Sequence, residues 1–356
     1  MSIPPVVVTA ARRSWRWQWQ RLMGGLGPAD AAGNYTRPSS DPLSPPALNP
    51  EDLLQRSADQ RPILVIGRSC PWAHRTWLVH QLRHLHNSLT LVMARADHNA
   101  GRWALDPAWE GCKTLLELYQ HCGAPPSYRA TVPVLVDPKT RTLLGNDSAP
   151  LVELLNRWPH QDAVVDLAPA EATDRIQAWQ QRLQPAINDG VYRCGFARNQ
   201  AAYDRAEADL FAALAAVEQS LETNGPWLCG TTLTLADVRL FPTLIRWELV
   251  YAPLFGCTRQ TLWHYPHLWA WRQRFYALPG VADTCDGNAW RHDYFGALFP
   301  LNPGGIVPAG PDLSTLVNST AASRRPAQIQ PLRVFTALTR SPLPIARRCV
   351  PIGSPC

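Results

Sequence analysis

The chain has 356 residues, of which 46% are hydrophobic, and a formal net charge of +6. This length suits two domains, or one large domain with extensions. Arginine carries nearly all of the positive charge, with Lys113 and Lys139 as the only lysines, and no long basic block interleaved with aromatic residues stands out. A nucleic-acid partner is therefore not expected. No apolar stretch approaches the roughly 20 residues that span a bilayer, which argues against a membrane protein.

Cysteine usage indicates the redox compartment. The nine cysteines are irregularly spaced and include no Cys-x-x-Cys pair, so they predict no disulfide framework and favour a reducing cytoplasm. Near the start, Arg12 follows the apolar residues instead of preceding them, the reverse of a secretory signal. The spacing of Cys112, His121 and Cys122 matches no zinc template, so no metal is expected.

Residues 1–60 are rich in proline, glycine and serine. They predict an extended N-terminal segment that packs over the body of the protein through Trp15, Trp17 and Trp19. The alternative is a partly disordered leader.

Cys70 lies where a strand is predicted to end and a helix to begin. Residues 62–66 form an apolar run typical of a buried strand, and residues 72–85 carry a helical pattern. Cys70 is then the N-cap and Pro71 the first helical residue, a position that favours proline. Because free N–H groups and the positive end of the helix dipole would face the sulfur, we expect a thiolate whose pKa lies well below about 8.5.

The residue three positions after Cys70 is Ala73, so the second cysteine of a dithiol motif is missing. This predicts a monothiol mechanism in which an external thiol completes the cycle. Two other interpretations stay open. His74 could act as a base in a cysteine hydrolase, although nothing nearby would orient it, and Cys70 could be an inert buried thiol.

The pattern after Cys70 predicts a β-α-β-α-β-β-α order, typical of a thioredoxin-like domain over residues 61–160. Strands are predicted at 89–94, 130–137 and 141–144, and helices at about 111–121 and 148–158. The two strands that flank the first helix should be parallel neighbours. The Val132-Pro133 step at the start of the later hairpin predicts a cis proline that faces Cys70.

Beyond Pro169 only helical periodicity is found, at residues 170–183, 201–223, 235–250 and 268–278. Thr234 to Asp237 has the pattern of a capping box, with Asp in place of the commoner Glu or Gln. An all-helical domain is therefore predicted over residues 170–311. Residues 312–356 lack periodicity and predict a disordered tail.

Together these motifs resemble those of the glutathione transferases, and in detail those of the Xi class, the glutathionyl-hydroquinone reductases. The resemblance extends from about residue 30 to residue 311, in order and spacing. It is carried by these stretches: SCPWAHRT at 69–76, ATVPVL at 130–135, NDGVYRCGFA at 188–197, LTLADVRLF at 233–241, VY at 250–251 and NPGGIVP at 302–308. It implies a thioredoxin-like α/β domain followed by an all-α domain.

The resemblance also implies residue roles. Cys70 would be the nucleophile and Tyr192 the proton donor or acceptor near the substrate, while Tyr251 and Tyr294 would donate hydrogen bonds that hold Cys70 as a thiolate. Glutathione, the expected co-substrate, would be bound by a further set of residues: Trp103, Arg129, Val132, Asp147 and Ser148. The γ-glutamyl carboxylate would meet the helix N-terminus at Asp147 and Ser148.

The implied activity is reduction of glutathionyl-hydroquinones, with a Cys70-glutathione mixed disulfide that a second glutathione resolves. Two alternatives remain: an Omega-like thiol transferase or dehydroascorbate reductase, which needs no tyrosine to protonate a ring, and a non-catalytic interaction module. The partners would be glutathione, an aromatic glutathionyl-hydroquinone and, since the family is typically dimeric, a second copy of the chain.

Two positions depart from the family pattern. The family usually has Glu-Ser-Ser-Glu-Ile where this chain has DSAPL at 147–151, so the acid at Asp147 is one methylene shorter. A Ser-His pair usually follows the tyrosine that corresponds to Tyr294, where this chain has Ala297 and Leu298.

Overall fold

The computed structural model describes residues 3–38, 52–53, 55–98, 101–159 and 165–318. Six strands form one sheet: β1 Ile63–Gly67, β2 Thr90–Asp97, β3 Arg102–Trp109, β4 Cys112–Thr114, β5 Val134–Asp137 and β6 Thr142–Gly145. Their order is β4-β3-β2-β1-β5-β6. β1 pairs with β2 in parallel and with β5 antiparallel, and every residue of β1 is buried. The predicted parallel pairing of the first two strands is confirmed.

The helices follow in chain order: α1 Pro5–Leu26, α2 Pro71–Leu82, α3 Leu115–His121, α4 Ser148–Asn156, α5 Thr173–Leu183, α6 Gly190–Gly195, α7 Gln200–Asn224, α8 Leu235–Ile245, α9 Ala252–Phe255, α10 Pro266–Tyr276, α11 Gly287–Ala297 and α12 Leu313–Asn318. Two π-helical turns, Gln184–Asn188 and Trp247–Tyr251, adjoin this set. The architecture is a thioredoxin-like α/β domain followed by a helical domain, as the sequence predicted.

β3 lies where the sequence predicts a loop, but β4 lies in the first residues of the helix predicted at about 111–121, which begins only at Leu115. Glu110 and Gly111 both have positive φ, 43° and 82°, which is the backbone of the tight turn that two-residue hairpins favour. Along β3, Leu105 is buried while Arg102 is exposed. The hairpin extends the sheet on the β2 side and brings Trp103 onto an ordered strand.

The capping box at the start of α8 is confirmed. The buried Asp237 carboxylate accepts the backbone N–H of Thr234 at 3.0 Å and that of Leu228 at 2.9 Å, and also the indole N–H of Trp271 at 2.8 Å. Burial raises the pKa of Asp237, and these three donors oppose that rise. This one carboxylate therefore joins α8, α10 and the loop before α8.

The N-terminal segment is helical over Pro5–Leu26, so the prediction of an extended segment is wrong there. Residues 6–23 contain neither proline nor glycine, and this local run decides the structure despite the composition of residues 1–60. Trp19 packs against the core as expected. Trp17 is 65% exposed and Trp15 is 39% exposed, so Trp17 does not anchor the segment.

The tail from residue 312 begins with α12, whose Leu316 and Val317 are buried. Apolar side chains thus order the start of a segment for which the sequence predicted disorder. The remainder of that prediction, residues 319–356, lies outside the described residues. In the part of the chain that the structure covers, no helix is both long and apolar enough to cross a membrane.

Candidate active site

Cys70 lies at the N-terminus of α2, directly after β1. Its backbone N–H bonds to Gly67 O at 3.0 Å, and it is the N-cap residue with Pro71 at the first helical position. The half-buried thiol donates to Val132 O at 3.7 Å. The Val132-Pro133 peptide bond is cis, which confirms the sequence prediction. The helix cap and the proline loop therefore meet at one sulfur atom.

Burial raises the pKa of the Cys70 thiol. The backbone N–H groups of Ala73 and Trp72 and the charges of Arg246 and Arg37 act in the opposite direction, but the net effect is upward. The expectation of a pKa well below the ordinary value is therefore wrong. The helix N-terminus is present as predicted, but its effect is smaller than the cost of placing a charge away from water.

Trp103 and Val132 meet over the end of β1. A Cβ atom placed on Gly67 would lie 2.6 Å from Trp103 Cη2 and 2.8 Å from Val132 Cγ2, so both side chains rest on this glycine. Trp103 pairs with Ala96 across the β2–β3 ladder. The structure thus brings together three predicted site residues, Cys70, Val132 and Trp103. Gly67, which makes the approach possible, was not predicted.

The N-terminus of α4 holds two more of the residues predicted for the glutathione site, Asp147 and Ser148. Asp147 is the exposed N-cap, and its carboxylate accepts the backbone N–H of Ala149 at 2.9 Å. Ser148 is the first helical residue and is buried. One oxygen of the shorter acid is therefore engaged in capping its own helix. Arg129 lies exposed in the loop before Val132, and its charge lowers the pKa of Tyr35 against the larger upward effect of burial.

Three tyrosines form a hydroxyl cluster. Tyr192 Oη lies 2.6 Å from Tyr294 Oη, and Tyr251 Oη lies 3.3 Å from the same atom. Burial raises the pKa of each phenol, and well above the ordinary value for Tyr192 and Tyr294. Among the described residues, none of these hydroxyls donates to Cys70 Sγ. In the described part of the chain Tyr251 and Tyr294 bond within this cluster and not to the sulfur, which differs from the bonds to Cys70 that the resemblance implied.

Two guanidinium groups contact the indole of Trp72. Arg37 lies 3.6 Å from the centroid of the indole and Arg75 lies 4.5 Å from it. Tyr192 stacks on the same side chain with a centroid distance of 6.1 Å. Arg37 also pairs with Asp189 at 3.0 Å. The N-terminal segment thus supplies a cation to the site, a contact that no local sequence signal could indicate.

His74 is buried and both of its ring nitrogens are engaged. Nε2 lies 2.8 Å from Thr284 Oγ1, and Nδ1 lies 2.9 Å from Arg246 Nη1. Burial, followed by the charge of Arg246, holds the pKa of His74 well below its usual value. The imidazole is neutral, and its partners are Thr284 and Arg246 instead of the Cys70 sulfur. It is therefore not the general base of a cysteine hydrolase.

The sequence expectation that no metal is bound rests on spacing. Cys112 is buried and Cys122 is half-buried, with the Cys122 pKa raised to about 11, and His121 pairs with Glu110 at 3.2 Å. In the described ranges there is no group of three or more His, Cys, Asp or Glu side chains that could hold a metal ion.

Comparison with known proteins places this site in a family. The model for the glutathione S-transferase N-terminal domain matches residues 69–158, and that for the C-terminal domain matches residues 200–274. Glutathionyl-hydroquinone reductase YqjG of Escherichia coli (strain K12) is 34% identical over 263 residues, covering 70% of this chain and 78% of the relative. Glutathione S-transferase omega-like 2 of Schizosaccharomyces pombe (strain 972 / ATCC 24843) is 33% identical over 282 residues, covering 74% and 90%.

Solved structures agree. The glutathione S-transferase Xi of Phanerochaete chrysosporium superimposes with a TM-score of 0.71 at 30% identity, covering 80% of this chain and 94% of that one. The glutathione-bound structure of YqjG gives a TM-score of 0.66 at 32% identity, covering 72% and 86%. Identity of this level over most of each relative accompanies the same two-domain fold. The chain therefore belongs to the Xi class of glutathione transferases, the family of the glutathionyl-hydroquinone reductases.

Proposed function

We propose that this protein is a glutathionyl-hydroquinone reductase in which Cys70 is the nucleophile. The observation that carries the proposal is the position of the Cys70 thiol, between the N-terminus of α2 and the carbonyl of Val132. Relatives at about one third identity support it, since one of them is named for this activity. The absence of a second cysteine at Ala73 supports a cycle that needs an external thiol.

In the first step the Cys70 thiolate attacks the glutathione sulfur of the substrate. A sulfur–sulfur bond forms, the sulfur–ring bond breaks, and its electron pair passes to the ring carbon, which takes the proton of Tyr192. Hydroquinone leaves, and a Cys70-glutathione mixed disulfide remains. The thiolate of a second glutathione then displaces Cys70 and forms oxidised glutathione. The proton of that second thiol restores Tyr192, so atoms and electrons balance.

The raised pKa of Cys70 is compatible with this chemistry. Cysteine reacts through a small thiolate fraction near pH 7, and a thiolate of higher pKa is intrinsically the stronger nucleophile. Turnover should therefore increase with pH until the thiol is ionised. The raised pKa of Tyr192 keeps its proton in place at neutral pH. Tyr251 and Tyr294 assist through the hydrogen bonds of the hydroxyl cluster. Tyr294 donates to the Tyr192 oxygen once that oxygen has lost its proton.

We propose that glutathione binds at the site that the resemblance implied. The backbone at Val132 would face the cysteinyl unit, and Trp103 would cover it. The N-terminus of α4, at Asp147 and Ser148, would bind the γ-glutamyl carboxylate through the backbone N–H of Ser148, because the N–H of Ala149 bonds to the Asp147 side chain and Pro150 has none. Arg129 would supply a positive charge at the edge of this glutathione site. We also propose a cytoplasmic homodimer, and sedimentation of the purified protein would test its oligomeric state.

A second candidate is an Omega-like thiol transferase, because one relative carries an omega-like name. It would use Cys70 in the same way but would need no proton from Tyr192. Tyr192→Phe therefore separates the two: it should impair reduction of a glutathionyl-hydroquinone and spare reduction of dehydroascorbate or of a mixed disulfide. Equal activity of Tyr192→Phe and the parent on the hydroquinone would favour the second candidate.

The direct experiment is turnover of a glutathionyl-hydroquinone with reduced glutathione as the second thiol. Cys70→Ala should abolish the formation of oxidised glutathione. Cys122→Ala is the matched control, since it removes another half-buried free thiol of the same domain. Activity retained in Cys70→Ala would refute the nucleophile. No activity in the parent protein on any thiol substrate would favour the non-catalytic interaction module.

A further inference from the structure

Arg246 is a buried cation that the mechanism above does not use. Its side chain is fully buried, and Nη1 donates to Pro242 O and to His74 Nδ1, both at 2.9 Å. The guanidinium carbon lies 4.0 Å from the centroid of the Trp290 ring. In the part of the chain that the structure describes, Nε and Nη2 have no hydrogen-bond partner and no carboxylate pairs with this arginine.

His74 is arranged to hold this cation. Since Nδ1 accepts from Arg246, the ring proton is on Nε2, which donates to Thr284 Oγ1 at 2.8 Å. Thr284 in turn donates to Val281 O at 2.6 Å. In this series of hydrogen bonds each donor faces one acceptor, which fixes the tautomer and the plane of the His74 ring. A neutral imidazole thus orients the guanidinium without neutralising its charge.

The charge lies close to the candidate active site. The backbone N–H of His74 bonds to Cys70 O at 3.0 Å, one turn into α2, and Arg246 directly precedes the π-helical turn that ends at Tyr251. Its field lowers the pKa values of Cys70, Tyr251 and Tyr294 against the larger upward effect of burial. Two further groups contribute to the electrostatics of this region. The charge of Arg37 also acts on Cys70, and the charge of Arg246 also acts on the Cys285 thiol.

Arg272 is a buried arginine in a similar setting that has a carboxylate partner, and Arg246 can be compared with it. Arg272 is equally buried and lies 4.0 Å over Trp269, but it pairs with Glu248 at 2.7 Å. A buried charge without a partner of opposite sign is costly, and an apolar side chain of similar volume is often as good or better for stability. The missing carboxylate beside Arg246 therefore points to an anion that forms only during turnover.

We propose that Arg246, positioned by neutral His74, is the fixed positive charge that stabilises the Cys70 thiolate and the phenolate formed when the tyrosine cluster gives up a proton. This inference deepens the proposed function. The stabilisation of a phenolate rests on that function, because the phenolate forms only when Tyr192 gives up its proton. Arg246 acts through space on the sulfur, and His74 is a positioning residue. The pair replaces the hydroxyl bonds to Cys70 that the family resemblance had implied.

The test measures alkylation of Cys70 by iodoacetamide against pH, followed on the Cys70 peptide by mass spectrometry. Arg246→Met should raise the apparent pKa of Cys70 by about 1 to 3, the usual effect of one nearby opposite charge. Arg246→Lys should restore part of the lost stabilisation. Arg272→Met, the matched control, removes a buried guanidinium stacked on tryptophan and should leave the Cys70 pKa unchanged. Where Arg246→Met fails to fold, Arg246→Gln keeps a donor for His74 and should raise the pKa by the same amount.

An unchanged Cys70 pKa in a folded, uncharged Arg246 variant would overturn the proposal, and so would an equal rise in Arg272→Met. Turnover adds a second readout: in Arg246→Met the rate at neutral pH should fall about tenfold for each pH unit by which the Cys70 pKa rises, and the loss should shrink at higher pH. A merely structural role would give a loss that does not depend on pH. The alkylation assay uses no hydroquinone, so a raised Cys70 pKa in a protein without reductase activity would refute the proposed function and leave the role of Arg246 standing.

Discussion

Replacing Gly67 by alanine tests the contact between Trp103 and the end of β1. The added Cβ would lie 2.6 Å from Trp103 Cη2 and 2.8 Å from Val132 Cγ2, whereas carbon atoms in good contact are about 3.5 to 4.0 Å apart. Because the backbone of β1 is held on both sides by the sheet, the indole has to move by about 1 Å. Overpacking of this kind typically costs about 1 to 3 kcal/mol of unfolding free energy.

The assays are thermal unfolding and glutathione binding by calorimetry. Gly67→Ala should lower the Tm by several degrees and, if Trp103 covers glutathione as proposed, weaken glutathione binding about tenfold. Gly24→Ala is the control, since its added Cβ meets nothing within 4 Å and it lies in a helix. In the double variant with Trp103→Ala, the stability cost of Gly67→Ala should shrink. Parent-like Tm and affinity in Gly67→Ala would refute the packing of Trp103 on β1.

Three other predictions concern a proton, a cap and a histidine. Tyr192→Phe should lower reductase turnover by roughly 10² to 10⁴-fold, the usual contribution of general acid catalysis, and leave glutathione affinity unchanged by calorimetry. Asp237→Ala leaves four buried donors without their acceptor, the Thr234 hydroxyl included, and should cost about 3 kcal/mol or more in denaturant unfolding. Burial lowers the pKa of His80 to about 4, so its folded form resists protonation, and the parent should lose about 3 kcal/mol of stability between pH 6.5 and 4. His80→Gln should lose less over that range; an equal loss would contradict the assignment.

Local signals near Cys70 are sufficient to predict the start of α2. An apolar run, a short break and a proline after the cysteine fix the strand end, the N-cap and the first helical residue within a few positions. The same holds for Thr234 and Asp237, where the capping box lies within four residues. The pKa of Cys70 cannot be predicted in this way. It depends on burial by distant elements, and burial outweighs the local dipole.

Contacts across long sequence separations account for what the sequence does not predict. His74 and Arg246 are 172 residues apart, and each alone is compatible with a surface position. The sequence assigns Trp103 to the glutathione site only through the family resemblance. The turn at Glu110 and Gly111, which forms the β3–β4 hairpin, has no residue pattern from which the hairpin could be predicted. The composition of residues 1–60 conceals α1, because residues 6–23 have neither the prolines nor the glycines of the segment as a whole.

The most direct test of the central claim is a single turnover of the reduced protein with a glutathionyl-hydroquinone in the absence of free glutathione. The proposed mechanism predicts one equivalent of hydroquinone released and one glutathione adduct located on Cys70 by peptide mass spectrometry. Adding reduced glutathione should then remove the adduct and form one equivalent of oxidised glutathione. Release of hydroquinone without an adduct on Cys70, or an adduct on another cysteine, would contradict the account.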